Sequence, residues 1–220
     1  MPLDSVTVSA LAAELRGRIT GAKIDKVQQP ERDTLILTLH GPGGSARLAL
    51  CGGVGNARIH LTEASYENPE RPPMFCMLLR KHLNGARIAA LEQPERERIL
   101  ILRLDAYDEM GTPVQKKLAV EMIGRGTNII LIDGEDRIID CLRRVDSEMS
   151  AIRQVLPGLI YRLPLQQSKP DPFMLSAQER RAIWEARDPS LPPDKWLLQS
   201  FSCLSPLLCR ELAYRCGGDP

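Results

Sequence analysis

The sequence predicts an α+β fold, with antiparallel strands in a two-sheet sandwich followed by a small all-helical segment. Three observations carry that expectation. In the first part of the chain, helical spacing of apolar residues is confined to Ser9–Arg18 and Pro73–Leu83. Around them lie nine short apolar or alternating runs, broken by glycine, proline and other turn formers. Beyond Pro172 the period returns to that of helices. A helix, four strands, a helix and five strands do not alternate as a parallel α/β wind does, so antiparallel layers are expected.

Ser9–Arg18 reads as a short amphipathic helix with Leu11 and Leu15 inward and Gly17 and Gly21 near its end. Lys23–Gln29, Thr34–Leu39, Ala46–Cys51 and Arg58–Leu61 follow as strands. Pro30, Gly41-Pro42-Gly43-Gly44 and Gly52-Gly53 separate them with turn chemistry. In the second helix Pro73 can occupy the first turn, where its missing N–H costs nothing. Met74, Met77, Leu78 and Phe75, Leu79, Leu83 recur at helical spacing, so this segment should bury most of its surface. Arg80, Lys81 and His82 close it, where cations suit the helix dipole. They could equally face an anionic partner. Arg87–Glu92, Ile99–Asp105, Lys116–Ile123, Asn128–Ile132 and Arg137–Leu142 complete the strands, with Ile132–Asp136 as a hairpin-like turn.

Pro157 to Pro172, rich in proline and polar residues, reads as an extended linker. It divides the chain into a domain over 1–170 and a helical segment over 171–220. Ser176 caps a helix through Arg187, and Glu179 three residues on completes a capping box. Asp194 starts a second helix, and Ser205-Pro206 starts a third through Cys216.

Composition narrows the function. No 18-residue apolar run exists, so no membrane-spanning helix is expected. Met1–Ser5 lacks the basic and apolar regions of a secretory signal. The six cysteines lie in apolar contexts without C-x-x-C spacing, and read as buried free thiols in a reducing compartment. A cytoplasmic location is expected. A net charge of +1 argues against bulk electrostatic attraction to nucleic acid, but leaves room for a local patch.

Three scattered histidines carry no metal spacing, and no G-x-S-x-G, P-loop or dinucleotide fingerprint appears. A binding module rather than an enzyme is therefore expected, with no cofactor and no metal. The first site candidate is Glu97-Arg98, at the entry to the Ile99 strand, inside the polar stretch Glu92–Arg98. Such a pair can accept from a base amino group or ribose hydroxyl while the arginine forks onto phosphate or guanine. A solvated hairpin loop is the plainer reading. The second candidate is Glu121, Arg125 and Asn128 around the Gly124–Thr127 turn, for which the plainer reading is turn geometry with a Glu121–Arg125 ion pair. Asp4 is a third, and is also an ordinary helix cap.

Three segments carry a resemblance. Pro72–Leu83 resembles the signature helix of the NFACT family of ribosome quality-control factors, often labelled fibronectin-binding protein A. Glu121–Leu131 is similar to that family's E-x-MGR-x-[ST]-N strand pair, and Met149–Gly158 to its exit from the N-terminal domain. The similarity runs from about Leu3 to Pro170 and resumes near Trp196. It implies an N-terminal domain resembling that of formamidopyrimidine-DNA glycosylases, then a helix-hairpin-helix segment. Within Phe201–Leu208, Cys203 stands where the family's hairpin has glycine. At Glu97-Arg98 the family usually has Asp-Arg, associated with engaging transfer RNA. The turn around Arg125 would belong to the same surface, and Asp4 matches an acidic position of the first helix.

The resemblance implies the following function. The whole protein binds stalled large ribosomal subunits carrying peptidyl-tRNA, recruits alanyl-tRNA and directs a C-terminal alanine tail. This chain would be its N-terminal part, with a coiled coil and a second RNA-binding domain beyond it. The rival from another class is a fibronectin-binding adhesin. A glycosylase reading would need Pro2 as an N-terminal nucleophile, but Leu3 stands where those enzymes have glutamate.

Overall fold

The computed structural model describes residues 3–41, 43–165 and 168–217. Pro2 lies outside the described residues. The chain divides into two units, Met1–Leu3 with Thr7–Leu163, and Asp4–Val6 with Pro164–Pro220. The division falls inside the proline-rich stretch, seven residues before the expected boundary.

The first unit follows the expected order. Helix α1 (Ser5–Ile19) precedes β1 (Lys23–Glu31), β2 (Thr34–Gly41), β3 (Gly44–Cys51) and β4 (Arg58–Leu61). Helix α2 (Met74–Leu83) precedes β5 (Arg87–Glu92), β6 (Ile99–Tyr107), β7 (Pro113–Glu121), β8 (Asn128–Ile132) and β9 (Ile138–Cys141). Val8, Ala12, Leu15 and Ile19 form the inward stripe of α1; Leu15 is inward as expected, whereas Leu11 is only partly buried and packs at its edge. In α2 only Phe75, Cys76, Leu79 and Leu83 are buried. Met74 is 84% exposed and Met77 49%, so this helix is one-faced and not largely buried.

The expected pair of sheets is not found. All nine strands form one antiparallel sheet in the order β4-β3-β2-β1-β5-β6-β7-β8-β9. Its two halves share a single register pair, Lys23 opposite Arg87. Hydrogen bonds Ile24 N–Ala86 O (2.8 Å) and Ile88 N–Ala22 O (2.9 Å) flank that seam. Gly85, at φ +86, turns the chain out of α2 so that its own N–H donates to Ile24 O. From this seam the halves diverge and fold over one core. A Cβ on Gly52, after β3, would lie 2.6 Å from Leu142 and 3.3 Å from Ile129, so backbone and side chains from opposite halves meet there.

Burial explains the strand sequences. Leu100, Leu102, Leu104, Leu118, Val120, Ile129 and Leu131 face the shared core with both helices. On the reverse face Ile99, Ile101, Ala119, Ile130 and Ile132 are covered by the segment after β9 through Val145, Val155, Tyr161 and Leu163. Strands buried on both faces read as continuous apolar runs. The turn between β8 and β9 is built as expected, Asp133 Oδ1 accepting from Glu135 N and Arg137 N at 2.9 Å.

The second unit contains α3 (Ala177–Glu185), α4 (Pro193–Ser200) and α5 (Pro206–Arg215). The Ser176–Glu179 capping box is present in both directions. Trp196 is the hub, edge-on to Trp184 at 5.0 Å and to Phe201 at 5.5 Å. Cys203, in the α4–α5 connection, adopts φ +66. That left-handed conformation favours glycine, which gives the glycine of the resembling hairpin pattern a physical reason. All six cysteines are free; four are buried, but Cys203 is half-buried and Cys216 exposed.

Candidate functional site

The β5–β6 and β7–β8 connections lie side by side at one end of the sheet. Ile99 pairs with Glu121, and Met122 N donates to Arg98 O at 2.8 Å. The Gly124–Gly126 turn that carries Arg125 follows at once.

Glu97 and Arg98 stand on a connection with an unusual backbone. Glu95 and Arg96 adopt φ +47 and +51 in succession, neither being glycine. Each such residue costs about 1–2 kcal/mol, and such strain persists only where surrounding contacts enforce it. The enforcing contacts are present. Ser9 Oγ on α1 donates to Gln93 Oε1 at 2.7 Å, and Gln93 Nε2 donates to Glu97 O at 2.9 Å. Glu97 N closes the turn on Pro94 O at 2.8 Å. The side chains of Glu97 and Arg98 are half-buried, and neither makes a hydrogen bond or ion pair among the described residues. A carboxylate and a guanidinium therefore stand on successive residues, neither one neutralised within the described residues.

Glu121 is placed differently. Its side chain is wholly enclosed and grips Arg153 through two bonds, of 2.6 and 3.0 Å. Tyr161 Oη donates to the same carboxylate at 2.8 Å, with the Arg153 guanidinium 5.4 Å from the Tyr161 ring centre. Burial, then the Glu121 charge, pushes the Tyr161 hydroxyl well above its usual range, so it remains a donor. The ion pair suggested between Glu121 and Arg125 is not formed; Arg153 takes that place. Arg125 is exposed and unpaired among the described residues.

Asn128 is buried and structural. Its Nδ2 donates to Arg143 O at 2.7 Å, while Oδ1 accepts from Arg143 N and Ile129 N at 3.0 Å. Asp4 belongs to the second unit, where it accepts from Ser205 Oγ at 2.8 Å. The structure thus brings Glu97, Arg98 and Arg125 to one end of the sheet as available groups, and commits Glu121 and Asn128 to internal bonds. Ser9, Gln93, Arg153 and Tyr161 had no local signal, because their partners lie 32 to 84 residues away.

The cations ending α2 are engaged within the fold. Arg80 Nε donates to Val27 O at 2.8 Å, Lys81 pairs with Glu109, and His82 Nδ1 meets Lys116 Nζ at 2.9 Å. Burial, then the neighbouring Lys116 and Lys81 charges, lowers the His82 pKa. Burial also lowers that of Lys116. Among the described residues no cluster of His, Cys, Asp and Glu could hold a metal, and no helix is long and apolar enough to cross a membrane.

Architecture and site together define an α+β antiparallel domain that presents a strained, charged loop, followed by a small helical unit. The chain belongs to the NFACT family: the family model for NFACT N-terminal and middle domains matches residues 4–220. It is 37% identical over 218 residues to the Rqc2 homolog RqcH of Bacillus subtilis, covering 99% of this chain and 38% of that protein. It is 30% identical over 158 residues to human ribosome quality control complex subunit NEMF, covering 70% of this chain and 14% of that protein. The solved N-terminal structure of the fibronectin/fibrinogen-binding protein from Streptococcus suis superposes with a TM-score of 0.90. The two are 31% identical, over 96% of this chain and 79% of that one.

Proposed function

We propose that this chain is the N-terminal part of a ribosome quality-control factor, and that Glu97, Arg98 and Arg125 engage transfer RNA on a stalled large ribosomal subunit. The observation that carries the reading is the free Glu97-Arg98 pair on a loop whose strain is enforced from α1. Family membership and the names of its bacterial and human relatives support the quality-control setting. Arg98 forks onto phosphate or a guanine edge, and Glu97 accepts from a base amino group or ribose hydroxyl. In the whole protein this positions alanyl-tRNA for C-terminal alanine tailing in the cytoplasm. The ribosome supplies the peptidyl transfer, and the protein acts as a binder and not an enzyme. The likeness to glycosylase N-terminal domains and the reading of α4–α5 as a helix-hairpin-helix belong to this proposal.

The test is transfer RNA binding by wild type and Arg98→Ala across a salt series, with alanine tailing by the full-length mutant. Lost binding and lost tailing in a folded protein support the reading. Normal tailing by Arg98→Ala removes this loop from the site. The Streptococcus suis relative motivates a second reading, fibronectin binding. Saturable binding of immobilised fibronectin at a Kd well below that for transfer RNA would favour it.

A further inference from the structure

A cavity of about 600 Å³ opens beside β2, β3 and β4, lined by Arg18, Thr38, Ser45, Arg47, Thr62 and Glu63 among others. Strand register explains who gathers there. Leu37 and Leu39 of β2 and Leu48 and Leu50 of β3 turn into the core, so Thr38, His40, Ser45 and Arg47 turn outward. Thr38 pairs with Lys26 on one side and Arg47 on the other; His40 pairs with Lys23 and Ser45. Two cross-strand rows result, Lys26–Thr38–Arg47 and Lys23–His40–Ser45, each about 10 Å across at ordinary strand spacing. Arg18 joins them from the last turn of α1.

These cations are largely uncommitted. Arg18, Lys23 and Lys26 make no hydrogen bond or ion pair among the described residues. Arg47 donates from Nη2 to Glu63 O at 2.5 Å, and so uses one of its five N–H donors. Ser45 Oγ is engaged with His40 Nδ1 at 3.1 Å, while the Thr38 hydroxyl has no partner among the described residues. The carboxylates nearby are Glu63, Asp25 in the β1 bulge beside Lys26, and Asp105, which lines a neighbouring cavity with Lys23 and Arg87. With Arg87 counted, five cations stand against three carboxylates, still a local excess on a chain whose net charge is only +1.

We propose that this face is a second RNA contact, which grips the phosphodiester backbone. Arg18 and Arg47 fork onto the oxygens of one phosphate, the Thr38 hydroxyl donates to it, and Lys23 and Lys26 neutralise its neighbours along the strand. Cations spaced over about 10 Å suit a polyanion better than a single small anion. Such contacts position without reading sequence. The site stands whether or not the Glu97-Arg98 loop engages transfer RNA.

The test uses a fluorescent RNA hairpin, carrying either a 5′-phosphate or a 5′-hydroxyl, and wild type, Arg18→Glu, Arg47→Ala and Arg98→Ala. Arg18 is exposed and makes no hydrogen bond or ion pair among the described residues, so its replacement leaves the fold intact. The expected result is about 10-fold weaker binding by Arg18→Glu at low salt, with the slope of log K on log salt reduced by about one. Arg47→Ala should act in the same direction, and both hairpins should bind alike. Unchanged affinity and slope in Arg18→Glu overturn the site even if Arg98→Ala is defective, which leaves the loop reading standing. Binding that requires the 5′-phosphate overturns the backbone assignment in favour of a terminal phosphate. No RNA binding by wild type overturns it outright.

Discussion

Two pairs of glutamate and arginine occupy the same end of the sheet and have opposite fates. Glu121 and Arg153 are clamped to each other, with Tyr161 satisfying the carboxylate further. Glu97 and Arg98, one strand over, make no side-chain hydrogen bond or ion pair among the described residues and directly follow two residues, Glu95 and Arg96, held in the left-handed range. The same residue types therefore serve stability in one place and availability in the other. What separates them is whether the tertiary structure supplies a counter-charge within reach.

The comparison can be broken most forcefully at Arg153. Arg153→Ala leaves the Glu121 carboxylate buried without its counter-charge, and should cost about 3–5 kcal/mol in urea unfolding. Arg98→Ala should change stability by less than about 0.5 kcal/mol, because no hydrogen bond or ion pair is lost. Similar losses in both mutants would end the distinction between a structural and an available pair.

Gln93→Leu tests the device that holds the free pair in place. It removes the link from Ser9 to Glu97 O, at about 1 kcal/mol, and lets the connection relax. Transfer RNA affinity should fall more than the stability change alone explains, and full retention of affinity would show that the strain is incidental. Glycine at Cys203 offers the reverse experiment, strain without function. Cys203→Gly relieves a left-handed residue and should raise stability by about 1 kcal/mol, with no change in RNA binding by the β5–β6 loop.

The smallest effect is expected at the His82–Lys116 contact, a third polar pair that contains no carboxylate. Folding lowers the His82 pKa below its ordinary 6.5, so the unfolded chain binds more protons on acidification. The stability this pair contributes is present above about pH 6.5 and declines as pH falls below it. His82→Asn should flatten that part of the stability–pH curve, and an unchanged curve would show that another group governs it.

Much of this protein was determined by its sequence alone. Short apolar or alternating runs placed all nine strands, and the unbroken Ile99–Leu102 and Ile129–Ile132 runs follow from burial on both faces. The Ser176–Glu179 box and the turn at Asp133 were legible because their partners lie within four residues. Glu97-Arg98 was legible as a charged pair beginning a strand, though not as an unpaired one.

Only the tertiary structure decided the rest. The halves form one bent sheet because a single pair, Lys23 and Arg87, joins strands far apart in sequence. Glu121 found Arg153 and not the nearer Arg125, and Ser9 found Gln93 across 84 residues. Local conformation is governed by neighbours a turn or a hairpin away, and the sequence states those neighbours directly. Which charge is neutralised depends on distances of about 3 Å that exist only after the chain has closed over its core.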